Sequence, residues 1–131
     1  MTDILRIVIA ADPVPSQMGA TSLDGKTARK KPKRVTAYQQ HVALLAMLAV
    51  NRARWTATRS DSFKVTARFF LGDARVVDGD NLFKCLGDGL KAVVFPDDRQ
   101  ITEGHWYKQL DRHRPRTEVE IERLAKEPTD G

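Results

Sequence analysis

A single cysteine, Cys85, occurs in the 131-residue chain, so no intrachain disulfide can form and no cysteine-rich zinc site exists. The three histidines, His41, His105 and His113, are too scattered for a metal cluster or a catalytic triad. No apolar run approaches the roughly 18 residues of a membrane span, and the first residues lack a basic-then-apolar signal pattern. No stretch repeats another. These absences exclude a disulfide scaffold, a zinc ribbon and a membrane protein, and they lead us to expect a reducing, cytoplasmic setting.

What remains is an ordinary globular composition, 41% hydrophobic and 30% charged, at a length that suits one domain with a small core. Lysine and arginine number 22 against 17 acidic residues, a formal charge of +5. A basic excess of that size favours a polyanionic partner, and its distribution matters more than its sum. The densest part is Lys26-Thr-Ala-Arg-Lys-Lys-Pro-Lys-Arg34, with six basic residues in nine. It lies in a Pro- and Gly-containing stretch that reads as a mobile loop over about 16–34. Lys26, Arg29, Lys30, Lys31, Lys33 and Arg34 are candidate phosphate contacts, and a solvated basic loop is the alternative.

Hydrophobic periodicity orders the chain. Ile4–Ala10 is a β-branched run and reads as a strand. Val35–Arg54 lacks Gly and Pro and carries apolar residues at 42, 45, 46 and 49, the spacing of a helix, with Thr36 as its expected N-cap. Phe63–Leu71 alternates as a strand, Asn81–Val94 reads as a second helix ended by Pro96, and Gln100–Leu110 and Thr117–Leu124 read as two closing strands. The expected fold class is α+β: one small domain over 1–131, a mixed β-sheet with two helices in the order β-α-β-α-β-β, and a frayed end at about 125–131. Of Trp106 and Tyr107, on opposite faces of a strand, one is expected in the core and the other at an interface. Trp55 and Phe63 are expected in the core or at a dimer contact. Cys85, on the apolar side of the second helix, is expected to be buried.

The chemistry concentrates between residues 78 and 101. Asp78-Gly-Asp80-Asn81 and Asp97-Asp98 flank the second helix, and carboxylate oxygens are the ligands a hard cation such as Mg²⁺ takes. Asp80, Lys84 and Asp88 follow at i, i+4 and i+8, one polar stripe of the helix. Lys84 is thereby placed to offset charge on a phosphorane during phosphodiester hydrolysis. Asp97 and Asp98 point to opposite sides in an extended chain, so Asp98 is the favoured ligand and Asp97 a supporting or turn-capping residue. The residues alone leave a second reading open, in which the aspartates are turn and N-cap residues and Lys84 and Asp88 form an exposed pair.

The pattern Asp78-x-Asp80-Asn81-Leu82-x-Lys84, then Asp88, Leu90 and Asp97-Asp98-x-Gln100-Ile101, resembles the RusA family of Holliday junction resolvases. That resemblance implies a RusA-like fold and a homodimeric, Mg²⁺-dependent endodeoxyribonuclease, with Mn²⁺ able to replace Mg²⁺. Its partner would be branched DNA, in recombination and repair within a bacterial or phage-infected cell. It implies that Asp78, Asp80 and Asp98 are the essential, metal-binding carboxylates and Lys84 the catalytic lysine, with Asn81, Asp97 and Asp88 close by. Arg112, Arg114 and Arg116, in the turn before the last strand, join the basic loop as candidate DNA contacts. Gly79 departs from the pattern, since family members usually carry an apolar residue there. The alternatives are a non-catalytic basic DNA-binding module and a nuclease for other branched DNA.

Overall fold

The computed structural model describes residues 3–16 and 31–125. Strand β1 (Asp3–Ile9) is followed by helix α1 (Lys33–Ala53), strand β2 (Phe63–Leu71), helix α2 (Gly79–Leu90), a 3-10 turn at Asp98–Gln100, and strands β3 (Ile101–Leu110) and β4 (Arg116–Arg123). The order matches the sequence expectation, and the fold is α+β with one mixed four-stranded sheet, β1-β4-β2-β3. β4 runs antiparallel to both β1 and β2, while β2 and β3 run parallel, joined through α2. No helix among the described residues is long and apolar enough to cross a membrane.

Alternation along the strands decides which face is covered. Leu5, Ile7 and Ile9 of β1, Val65, Ala67 and Phe69 of β2, and Val119 and Ile121 of β4 are buried. They meet Val35, Tyr38, Val42 and Ala46 of α1 and Leu82, Cys85, Leu86 and Leu90 of α2. Many of the intervening strand residues are charged, and some lie across from opposite charges, as in Arg6–Glu120 at 3.1 Å and Lys64–Glu103 at 3.7 Å. One face is thus a core and the other a solvated ladder. In the core, the Tyr38 hydroxyl meets the Thr117 hydroxyl at 3.0 Å, which satisfies both buried groups. Burial raises the Tyr38 phenol above its ordinary range and pushes the Cys85 thiol up to about 11. Trp55, Phe63 and Phe95 stack in tilted contact at the β2 N-terminal end, where the Trp55 indole N–H donates to the Val94 carbonyl at 2.9 Å.

Three expectations are corrected. α1 starts ahead of Thr36 because Pro32 is its N-cap, with φ −55° and ψ 145°, and its carbonyl accepts from the Val35 and Thr36 amides. α2 ends at Leu90, short of Val94; Ala92 turns the chain with φ 71°, and its amide bonds the Phe95 carbonyl at 2.8 Å. Neither Trp106 nor Tyr107 is in the core: on the edge strand β3 they are 38% and 48% exposed. Residues 17–30, with Lys26, Arg29 and Lys30, and residues 126–131 lie outside the described residues, and with them most of the expected mobile loop and frayed end.

α2 crosses α1 at Gly89, where an added Cβ would sit 2.9 Å from Val42 Cβ and 3.2 Å from the Gln39 carbonyl. Both neighbours belong to a helix and cannot swing aside. Ala gains up to about 1 kcal/mol in helix propensity, but overpacking of this kind costs about 1–3 kcal/mol. Gly89→Ala therefore lowers the urea midpoint of unfolding at unchanged slope, and Val42→Ala in the same chain offsets part of the clash.

Candidate active site

The head of α2 is fixed before the helix begins. Leaving β2, the chain is caught by Asp12, whose carboxylate accepts from the Gly72 amide at 3.1 Å and from both terminal nitrogens of Arg75 at 3.2 and 3.0 Å. Arg75 also donates to the Pro13 carbonyl. Asp12 and Arg75 stand far apart in sequence, and no local pattern announces the pair. Val77 is then buried, and its carbonyl accepts from Lys108 Nζ at 2.6 Å. Asp78 is the N-cap of α2, its Oδ1 accepting from the Asp80 amide at 2.9 Å. The two readings of Asp78 that its sequence allows are therefore compatible: a capping carboxylate still has a second oxygen for another partner.

One step on, Asp80 Oδ1 accepts from the indole N–H of Trp106 at 3.0 Å. The indole packs against Gly79, where a Cβ would fall 2.4 Å from its ring carbons. Phe83 in turn packs over Gly104. Residues 104, 106 and 108 project from one side of β3 and meet 83, 79–80 and 77 in reverse order, so β3 lies along the start of α2. Trp106 and Lys108 were not singled out from sequence as part of the site. The unusual Gly79 was the available signal, because a missing side chain marks a place that another side chain fills.

Of the other residues expected here, Lys84 is exposed one turn beyond Asp80, and Asn81 and Asp88 are half-buried on α2. The second acidic pair is elsewhere. Asp97 caps the Asp98–Gln100 turn in a capping box with Gln100, and the Gln100 amide donates to the Thr58 and Asp61 carbonyls, just ahead of β2. Asp98 therefore sits at the foot of β3, whereas Asp80 is held by Trp106, about 17 Å further along the strand. The chain brings Asp78 and Asp80 together and does not bring Asp98 to them. Among the described residues, no group of three or more His, Cys, Asp or Glu side chains could hold a metal ion.

The basic residues divide in the same way. Arg116 is bound by Asp111 at 2.9 Å and Glu118 at 3.0 Å and stacks 3.8 Å over the Phe70 ring, so it builds the turn. Asp111 is held below the usual carboxylate range chiefly by Arg116 and by the Arg114 and His113 amides it accepts from. Arg112 and Arg114 are exposed on the turn between β3 and β4, at the end of the sheet where the Asp12–Arg75 loop lies, with Pro115 touching Gly72. Lys33 and Arg34 are exposed at the start of α1, which packs beside Thr117 at that same end, and Lys31 bonds Gln39 Oε1 at 2.7 Å. Basic side chains thus border the Asp78/Asp80 head.

Arg99 holds the Asp97 carboxyl well below the usual range, through its side chain first and then its backbone amide. A depressed carboxyl stabilises the fold above its unfolded-state pKa and loses that contribution as pH falls through the folded value. Asp97→Ala is expected to lower the melting temperature at pH 7, and its difference from wild type should shrink as pH is taken below about 4.

No curated protein sequence matches the chain. A family model does: endodeoxyribonuclease RusA, over residues 11–122, from just after β1 through nearly all of β4 and across both acidic stretches. With most of its length inside that match, the chain belongs to the RusA endodeoxyribonuclease family, enzymes that hydrolyse phosphodiester bonds in DNA.

Proposed function

We propose that the protein is a Mg²⁺-dependent, structure-selective endodeoxyribonuclease that acts as a homodimer and resolves four-way DNA junctions by paired nicks, in recombination and repair. What supports this reading is the pair Asp78 and Asp80 at the head of α2, with Lys84 exposed one turn further on, in a chain whose family cleaves DNA. Arg112, Arg114, Lys33 and Arg34 bind phosphates and bring a branched duplex to the head of α2, reading shape more than bases. Asp78 and Asp80 would hold the ion together with Asp98, which one chain keeps apart from them and which the second subunit of the homodimer would supply. An all-oxygen donor set fits Mg²⁺, or Mn²⁺ in its place. When bound, the ion supplies an activated water and a polarised phosphate. Lys84 places a positive charge where negative charge grows on the phosphate oxygens. Asn81, Asp88 and Asp97 support these groups from α2 and the 3-10 turn.

The distance between Asp98 and the Asp78/Asp80 pair favours one specific rival, a DNA-binding module that does not cut. Incubation with a synthetic four-way junction and Mg²⁺ or Mn²⁺ separates the two: nicked products support the nuclease, and binding without cleavage at any tested pH sinks it. Asp80→Asn is expected to bind the junction and fail to cut it. Mixing Asp80→Asn with Asp98→Asn reads whether one chain or two supply the carboxylates, since activity of the mixture alone marks a shared site.

Charge removal gives a second check. Replacing Arg112 and Arg114 with Ala should weaken junction binding and reduce the slope of log K against log salt by about one for each phosphate no longer neutralised. Arg116→Ala should lower thermal stability and leave that slope unchanged.

A further inference from the structure

We propose that Trp106 is the positioning residue for the Asp80 carboxylate, and that Gly79 is the residue that makes room for it. The inference rests on the reading of Asp80 as a metal ligand and adds a part to that site. The indole Nε1–H can only donate, and it donates to Asp80 Oδ1 at 3.0 Å. One carboxylate oxygen is thereby fixed, and the other is left for a cation. An ammonium or guanidinium in this position would also orient Asp80, but it would offset the charge the cation needs. A neutral N–H orients the carboxylate and leaves its charge intact.

The indole itself has little freedom. Its backbone is tied into the sheet by pairing with Ala67 of β2. Its ring rests on Gly79, where even a methyl group would lie 2.4 Å from ring carbons. Lys108, two residues along the same side of β3, stands 5.8 Å from the ring centroid and anchors on the Val77 carbonyl. Strand, ring and hydrogen bond therefore carry the geometry of the sheet to Asp80. Hydrogen-bonding partners of metal-binding side chains act in this way elsewhere, and losing one commonly costs about 10- to 100-fold in metal affinity or activity. Gly79 and Trp106 then act as one unit, since a larger residue at 79 would displace the donor.

The test is Mn²⁺ binding to the purified full-length protein without DNA, read by electron paramagnetic resonance, with circular dichroism as the check on folding. Trp106→Phe keeps the ring and removes the N–H, and is expected to weaken Mn²⁺ binding by about tenfold or more. Gly79→Ala is expected to do the same in the wild-type chain and to have little further effect in Trp106→Ala, because the clash it creates is then absent. Wild-type affinity in a folded Trp106→Phe overturns the proposal, while loss of binding in Asp80→Asn alongside it keeps the ligand reading. Additive effects of Gly79→Ala and Trp106→Ala overturn the coupling. If wild type takes up no Mn²⁺ at all, the metal-site reading falls and the positioning role falls with it. Should Trp106→Phe not fold, the unaltered chain decides: Mn²⁺ is expected to quench the emission of the exposed tryptophan, and binding without quenching overturns the proposal.

Discussion

The functional end of the molecule depends on how closely α2 is allowed to approach its neighbours. Two contacts made at backbone distance fix it. Near its C-terminal end Gly89 lies against Val42 and the Gln39 carbonyl of α1, and at its start Gly79 lies under the Trp106 ring. A side chain at either position would move the helix relative to the sheet. The apparent weakness of a short helix with three glycines is therefore the condition for its placement, because packing and not propensity holds it. The Asp12–Arg75 pair sets the path of the chain into the helix, so that Asp78 arrives as its cap.

Placement of the charges follows from that frame. At the head of α2 the carboxylates of Asp78 and Asp80 take neutral donors, an amide and an indole, and keep their charge uncompensated by a basic side chain in these contacts. At the foot of β3 the arrangement is the reverse, with Asp97 bound by Arg99. Arg116 likewise spends its charge on Asp111 and Glu118, whereas Arg112 and Arg114 on the same turn remain exposed. Adjacent residues of one chemical type have thus been divided between building the fold and facing a ligand.

That division is where sequence reading reached its limit. The elements were legible because their signals are local: alternation in Phe63–Leu71, a helical period in Val35–Arg54, and a capping aspartate ahead of α2. Asp78 and Asp80 were legible as a pair for the same reason. What was not legible depends on contacts between distant parts of the chain. Asp12 meets Arg75, Trp106 meets Asp80, and Arg116 stacks on Phe70, and nothing in the neighbourhood of either partner marks these meetings. The separation of Asp98 from Asp80 was hidden because spacing along the chain says how long α2 is, but not which end of β3 its head lies beside. The early end of α2 at Leu90 turned on Ala92 adopting a left-handed conformation, which its sequence context does not announce.

The strand order carries a consequence for how the molecule is made. β4 is the last strand in sequence, yet it lies between β1 and β2 and is antiparallel to both. Until residues 116–123 have left the ribosome, β1 has no partner in the sheet, and the apolar sides of β1 and β2 have nothing to join them. The buried Tyr38–Thr117 hydroxyl pair is missing as well. Pairings this far apart in sequence are slow to form. The nascent chain would hold its helices and its β2-α2-β3 unit first, with an open seam down the sheet, and close in one late step when β4 inserts. A polypeptide stalled before that point exposes two unsatisfied strand edges, the kind of surface that chaperones bind and that aggregates grow from.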